Sequence, residues 1–211
     1  MPPGLAIVAV PPREDPRDVL VGPPDGLDGL PSGARVATGS PRREAQLRAV
    51  RPDLAIVPIR GNVGTRLDKL ARGEADALVL AAAGLRRLGL WPDGTTPLPV
   101  DLSTPAPGQG LLAVEAPPDG AGAAAAAEAL DDRAAHACLR AERSFLAELG
   151  GGCMRPLGAL CEDAGGGSLR ITAFAGEVSG GPGRRTEREG PADDPEGLGR
   201  VAAAAVAPVR R

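Results

Sequence analysis

Arg35-Val36-Ala37-Thr38-Gly39-Ser40-Pro41-Arg42-Arg43 and Ile59-Arg60-Gly61-Asn62-Val63-Gly64-Thr65-Arg66 decide the fold, because each joins the end of a short apolar run to the start of a helix. Around them runs a regular rhythm. Arg35–Ala37 reads as a strand, Pro41–Val50 as a helix and Leu54–Ile59 as a strand. Val63–Arg72 then reads as a helix, Ala77–Leu80 as a strand and Gly84–Leu88 as a helix. Short strands alternating with helices predict βαβ units, a parallel sheet and right-handed crossovers. Ligands of such sheets gather beyond the carboxyl ends of the strands. Both arginine-bearing turns fall on that edge.

Upstream, Leu5–Val10 is a continuous apolar run ended by Pro11 and Pro12, which predicts a buried strand. The segment up to Ser32 is rich in Pro, Gly and Asp, with room for a short strand at Val19–Val21. Downstream, the prolines between Trp91 and Pro107 predict a connection that leaves the α/β unit. Pro107-Gly108-Gln109-Gly110 introduces a strand at Leu111–Glu115, and a long helix follows around Asp132–Leu149. Strands near Leu157–Cys161, Leu169–Ala175 and Arg184–Arg188, with a helix near Pro195–Ala207, predict a small α+β domain. Gly165–Gly167 lies between two of those strands and reads as a hairpin tip; no internal repeat is visible.

Composition excludes several classes. With 211 residues the chain can form one large or two small domains with real cores. A net charge of −3 argues against nucleic acid as a partner. With aromatics at 1% and no Tyr, base-stacking platforms are excluded as well. Lys69 is the sole lysine, so arginine abundance reflects general residue usage and only arginine position carries information. Cys138, Cys153 and Cys161 have no C-x-x-C spacing of a zinc site. No signal peptide precedes the first strand, and the alanine tracts at Ala123–Ala127 and Ala202–Ala205 are too short to span a bilayer. These features read as a soluble cytoplasmic protein with reduced thiols.

At the first turn, Ser40 suits an N-cap and Pro41 the first helical position. The free amides there attract an anion, worth about 0.3–1 kcal/mol from the helix dipole. Arg42 and Arg43 add forked donors; the plainer alternative is a capped helix with a solvated arginine pair. At the second turn Asn62 can cap the helix, and Arg60 and Arg66 can both face the strand edge. Each arginine–carboxylate hydrogen bond contributes about 1.5–3 kcal/mol, so four arginines together suit a ligand with many carboxylates. Cys153 follows Gly150-Gly151-Gly152 at a helix end, where a thiol is an accessible nucleophile. Cys138 and Cys161 read as small core residues, and His136, the only histidine, as a surface or packing residue. Gly108-Gln109-Gly110 reads either as a hinge beside a ligand or as an interdomain crossing. Arg13-Glu14-Asp15-Pro16-Arg17-Asp18 reads as a solvated, self-paired loop.

The ordered set of Arg13–Asp18, Thr38–Arg43, Arg60–Arg66, Ala81-Ala82-Ala83-Gly84-Leu85-Arg86-Arg87-Leu88-Gly89, Pro105–Gly110 and Gly151-Gly152-Cys153 closely resembles the porphobilinogen deaminase family. Its members are also called hydroxymethylbilane synthases, and the resemblance runs nearly end to end. It implies a transferase of tetrapyrrole, porphyrin and heme biosynthesis that condenses four porphobilinogen units stepwise and releases ammonia at each addition. It implies a dipyrromethane cofactor held by a thioether to Cys153, with cofactor contacts at Thr38, Ser40, Arg42, Arg43, Arg60 and Gly84. Substrate contacts would fall on Arg60, Asn62, Arg66, Arg87 and Gln109, with no metal. The implied partners are porphobilinogen and its linear oligomers, without nucleic acid or membrane, in a cytoplasmic monomer.

The implied fold class is α/β: a periplasmic-binding-protein-like parallel or mixed sheet domain, a remnant of a second such domain, and a small α+β C-terminal domain. Residues 1–14 and 105–130 would form the remnant, 15–104 the arginine-lined domain, and 131–211 the domain that carries the cofactor cysteine. The family's catalytic aspartate, in a Lys-Asp pair, would lie upstream of Met1, as would an N-terminal Arg/Ser substrate segment. No carboxylate of this chain is a matching substitute, so no catalytic residue is assigned. That aspartate stabilises developing positive charge, so the isolated chain is expected to be a truncated, inactive form without cofactor. Leu5–Val10 and Leu111–Glu115 are expected to lack strand neighbours. Ala37, Gly39 and Pro41 depart from the family's pattern in ways the turn tolerates. The rival reading is a non-catalytic anion- or polycarboxylate-binding module; a periplasmic solute-binding protein is disfavoured by the absence of an export signal.

Overall fold

The computed structural model describes residues 3–150, 155–177 and 183–207. Its first large unit is a five-stranded sheet. The strands are β2 (Asp18–Val21), β3 (Arg35–Ala37), β4 (Ala55–Val57), β5 (Ala77–Ala81) and β6 (Thr95–Pro97), in the order β4-β3-β5-β2-β6. β3 runs parallel to β4 and to β5, as the alternation with helices α1 (Pro41–Val50) and α2 (Val63–Ala71) requires. β2 runs antiparallel to both β5 and β6, so the sheet is mixed rather than wholly parallel. β6 arises inside the stretch that reads as a simple connection. Antiparallel to the same β2, β6 runs parallel to β5, and the chain crosses between them through the short helix α3 (Ala82–Arg87).

Side chains alternate across this sheet with the strand period of two. Leu78 and Leu80 pack with Val19, Val21, Ala37 and Leu85 on one face, against Val63, Leu67 and Leu70. Ala77 and Val79 face the other way, with Leu20, Val36, Leu47, Leu54 and Leu98. Both faces are covered, which explains why β2 and β5 read as unbroken apolar runs rather than as alternating ones.

β1 (Ala6–Ala9) and β7 (Val114–Ala116) form a separate antiparallel ribbon with an irregularity between Ile7 and Ala9. The expectation that these two segments lack neighbours is thus corrected: they pair with each other. β1 is half-buried over Ala6–Val8, not fully buried as its composition suggests. The alanine-rich helix α4 (Ala121–Leu130) packs on β1. Alanine has the best intrinsic helix propensity, and Gly120 opens the helix without a side-chain cap.

The C-terminal unit is an antiparallel meander of β8 (Leu157–Gly165), β9 (Ser168–Ala175) and β10 (Arg184–Pro191). Gly166 and Gly167 make the tip of the first hairpin, both with positive φ. Helices α5 (Arg133–Glu148) and α6 (Pro195–Val206) cover one face, around Phe145, Leu157, Leu169, Ile171 and Leu198. Asp132 caps α5 and Asp194 caps α6, each accepting a backbone hydrogen bond from the helix's first turn. No described helix is long and apolar enough to cross a membrane.

Candidate functional site

The site grows from the strand ends at β3 and β4. Ser40 sits in extended backbone and its hydroxyl accepts from the Arg43 amide, with Pro41 in the first helical turn. Below it, Thr38 is buried; its amide donates to the Val57 carbonyl at 3.0 Å, and its Oγ1 accepts from the Ser40 amide at 3.2 Å. At Gly39 a Cβ would lie 2.9 Å from the Ile59 carbonyl oxygen. The two arginine-bearing turns therefore abut, and only glycine permits that approach.

The second turn is braced by its own helix. Gly61 adopts φ +118°, and a Cβ there would strike the Thr65 side chain at 2.8 Å. Asn62 Oδ1 caps α2 by accepting from the Thr65 amide at 2.8 Å. Arg66 Nε donates to the Gly61 carbonyl at 2.8 Å and Lys69 Nζ to the Arg60 carbonyl at 3.2 Å. The Arg60 guanidinium is exposed and has no ion-pair or hydrogen-bond partner among the described residues.

These turns enclose a cleft of about 410 Å³ lined by Gly39, Ser40, Arg43, Pro58, Ile59, Arg60 and Arg66. Its walls carry three guanidinium groups and no carboxylate. A larger cleft of about 560 Å³ lies along α5, where Arg140 is paired with Glu196 and Arg143 also stands on the wall. The arginine cleft differs in that its charged lining is all arginine.

Beneath it lies a buried carboxylate. Asp18 opens β2 and is 0% exposed, while Arg42 and Arg43 are 4% and 9% exposed. Arg43 donates to Asp18 Oδ1 from Nη2 at 2.7 Å and from Nε at 3.0 Å. Arg42 Nη1 donates to Asp18 Oδ2 at 2.8 Å, and the Ser103 hydroxyl to the same oxygen at 2.7 Å. Gln109 Nε2 adds a further hydrogen bond to Oδ1 at 2.9 Å. Burial alone would push the Asp18 carboxyl up, but the Arg43 and Arg42 guanidiniums outweigh it and hold the group far below the usual carboxylate range. One carboxylate serves two guanidiniums, so the buried cluster keeps a net positive charge under the cleft floor.

This geometry corrects the reading of Arg13–Asp18 as a solvated loop. Arg17 and Asp15 do pair with each other at 2.8 Å, and Arg86 joins Glu14 and Asp15. Asp18, however, is the buried anchor of Arg42 and Arg43. Arg13 reaches the buried Glu142 of α5 at 2.6 Å. The Glu142 carboxyl is pushed up by burial, opposed by Arg13 and by the Cys161 and Gly108 amides. Local sequence carried no signal for either role, because the partners lie 24, 25 and 129 positions away.

The structure thus brings Ser40, Arg43, Arg60 and Arg66 to one cleft, with Thr38 beneath them and Asn62 capping the adjoining helix. Arg42 turns away, to Asp18, the Thr104 carbonyl and Gln109. Gln109 belongs to that buried cluster, and Arg87 donates to the Gly110 carbonyl at 2.8 Å; neither lines the cleft. Gly84, on α3, leaves open space where a side chain would stand, with only Val63 at 4.0 Å. Cys153 lies outside the described residues. Cys138 and Cys161 are core residues, as their sequence contexts suggest. A hydrogen bond to Cys138, reinforced by burial, pushes the Cys161 thiol up and keeps it unreactive.

A mixed α/β unit with a carboxylate-free arginine cleft at its strand ends, joined to a small α+β unit, defines the class of fold in which this site sits. Residues 1–124 match the family model described as porphobilinogen deaminase, dipyromethane cofactor binding domain, and residues 136–207 match the porphobilinogen deaminase C-terminal domain. The chain belongs to the porphobilinogen deaminase family. It is 49% identical over 203 residues to the porphobilinogen deaminase of Roseiflexus sp. (strain RS-1), covering 94% of this chain and 65% of that protein. It is 45% identical over 204 residues to the Thiobacillus denitrificans enzyme, covering 96% and 66%. To porphobilinogen deaminase 1 of Streptomyces coelicolor it is 52% identical over 164 residues, covering 75% and 51%. The chain therefore spans about two thirds or less of the length of these relatives.

Proposed function

We propose that this chain supplies the arginine cleft and the cofactor-bearing C-terminal unit of a hydroxymethylbilane synthase. That transferase of porphyrin and heme biosynthesis condenses four porphobilinogen units stepwise on a cysteine-linked dipyrromethane, with release of ammonia. The observation that carries this reading is the cleft itself: Arg43, Arg60 and Arg66 around about 410 Å³ without a carboxylate. Each pyrrole of the substrate and cofactor bears an acetate and a propionate, and such a donor set fits them. In water alone an ion pair is worth little; in a cleft whose floor already carries net positive charge, fork-shaped donors hold carboxylates firmly.

The residues divide the work. Arg60, unpartnered among the described residues, is the free donor for an incoming carboxylate. Arg43 is aimed by Asp18, and Arg66 is held by the Gly61 carbonyl, so both are positioned before a ligand arrives. Ser40 adds a hydroxyl and the α1 N-terminus its amides. Gly84 leaves room beside Val63 for a planar ring. When bound, the dipyrromethane supplies the pyrrole carbon that primes chain growth; Thr38, Ser40, Arg42, Arg43, Arg60 and Gly84 are the residues that would hold it. Asn62 and Arg66 join Arg60 on the substrate side; Arg87 and Gln109, which lie off the cleft, belong to the substrate set by the resemblance alone, and Cys153 is the attachment point. We further infer the three-part division at residues 1–14 with 105–130, 15–104 and 131–211, a periplasmic-binding-like ancestry for the five-stranded unit, and a cytoplasmic monomer.

The test is the intact mass of the purified chain after incubation with preformed hydroxymethylbilane, beside a Cys153→Ser control. The chain is expected to be free of cofactor as purified and to gain a dipyrromethane-sized addition, absent from the control, only when hydroxymethylbilane is supplied. An unmodified wild-type mass would overturn the assignment of Cys153 in this chain.

A further inference from the structure

The segment that leaves the five-stranded unit, residues 102–110, is gripped from two sides. From the α1 side, Arg42 Nη1 donates to the Thr104 carbonyl at 2.5 Å. Gln46, fully buried, donates to the same carbonyl at 3.1 Å and accepts from the Thr104 amide at 2.8 Å. From the C-terminal side, the Ala159 amide of β8 donates to the Pro105 carbonyl at 2.9 Å.

One side chain joins both grips. Arg185 of β10 donates from Nη1 to Thr104 Oγ1 at 2.6 Å. Its Nη2 donates to Gln46 Oε1 at 2.8 Å and to the Leu102 carbonyl at 2.9 Å. Its guanidinium lies 4.8 Å from the centre of the Phe174 ring on the neighbouring strand. Burial lowers the pKa of this guanidinium, and no described carboxylate pairs with it; only Asp101 lends charge from a distance. Although Arg185 is exposed as a residue, its guanidinium directs its donors to three neutral oxygens rather than to a carboxylate, a choice that depends on fixed geometry. The fork shape of arginine meets these acceptors together, which an ammonium cannot do. Gln46 stands one helical turn beyond Arg42 on α1, so what holds Gln46 holds the face that carries Arg42.

We propose that Arg185 is a positioning residue for the arginine cleft: it clamps Thr104 and Gln46 and so locks α1, with Ser40, Arg42 and Arg43, against the C-terminal sheet. The proposal rests on the reading of the cleft as a carboxylate site.

The test compares wild type with Arg185→Gln and Arg185→Lys by calorimetric titration with porphobilinogen well below the melting transition, and by amide hydrogen exchange at Thr104. Arg185→Gln is expected to weaken porphobilinogen binding by about 2- to 30-fold, the range for coupling through packed contacts, and to speed Thr104 exchange. Arg185→Lys, which keeps the charge and loses the fork, is expected to stay weak. Wild-type affinity in Arg185→Gln would overturn the proposal even if the protein melts earlier, and so would full rescue by Arg185→Lys. If wild type itself takes no porphobilinogen, the cleft reading fails instead; unchanged Thr104 exchange in Arg185→Gln would then overturn the clamp, and faster exchange would uphold it.

Discussion

The two arginine-bearing turns look alike in sequence and end in opposite environments. At the α1 turn, Arg42 and Arg43 fold inward onto Asp18 and are all but sealed from water. At the α2 turn, the Arg60 guanidinium stays in solvent and Arg66 is only partly covered. The difference comes from the neighbouring strand. Asp18 opens β2, directly across the β5 ladder from Ala81, within reach of the first turn of α1. Among the described residues, no such carboxylate pairs with Arg60 or Arg66. Buried arginine serves as architecture that sets the electrostatic floor; exposed arginine is free to meet a ligand. Arg43 does both, since it touches Asp18 and lines the cleft.

The largest expected effect lies on the buried side. Asp18→Asn leaves two buried guanidiniums without a counter-charge, and removing one partner of a buried pair costs about 3–5 kcal/mol. Chemical denaturation at neutral pH should show that loss, together with a fall in porphobilinogen affinity. The pH dependence gives a sharper reading. Because the folded carboxyl is held below its unfolded value, the stability it contributes is complete above the unfolded pKa, about 4. That contribution is lost as pH falls toward the folded pKa. Asp15 and Glu196 are also held low by arginine partners and add to the same acid loss, but they persist in the variant. The gap between wild type and Asp18→Asn should therefore narrow below pH about 4; a gap constant with pH would mean Asp18 acts by shape alone.

On the exposed side the balance reverses. Arg60→Gln removes a guanidinium with no described partner, so stability should move by no more than about 0.5 kcal/mol. Binding should suffer more, since one charge-assisted hydrogen bond is worth about 1.5–3 kcal/mol, or roughly 10- to 150-fold in affinity. Titration with porphobilinogen and a melting curve on the same sample separate the two effects. If Arg60→Gln lowers stability as Asp18→Asn does, the division between architectural and ligand-facing arginines is wrong.

How much of this was legible in sequence depends on how local the cause is. α1 was readable to its ends because Ser40 and Pro41 mark the start, and α5 because Asp132 caps it. The strand end at Ala37, and hence the site's edge, followed from the first of these turns, whereas β4 stops at Val57, two residues short of the expected Ile59. The direction of the guanidiniums did not. It depends on Asp18 lying beside α1, a contact made only when β2 inserts antiparallel between β5 and β6. Four residues, Asp18–Val21, give no local sign of that orientation. β6 was hidden among prolines, and α4 in an alanine tract with no side-chain cap. The pairing of β1 with β7 joins segments more than a hundred positions apart, beyond any periodicity argument.

The smallest expected effect tests why the exposed turn holds its shape without a buried carboxylate. There the organising element is Asn62, whose Oδ1 takes the Thr65 amide at 2.8 Å and its hydroxyl at 2.9 Å. Asn62→Ala removes the cap and should cost about 1 kcal/mol in stability, far less than Asp18→Asn. Asn62→Asp keeps an acceptor at the cap and gains from the helix dipole, so it should be nearly neutral in stability. It also places a negative charge beside Arg60 and Arg66. The two substitutions therefore separate fold from electrostatics at one position. Stability should fall only in Asn62→Ala, whereas porphobilinogen affinity should fall in Asn62→Asp despite an intact helix. Equal affinity in Asn62→Asp and wild type would mean that the positive potential at this turn does not act on the ligand, and that the cleft's selectivity comes from the buried pair alone.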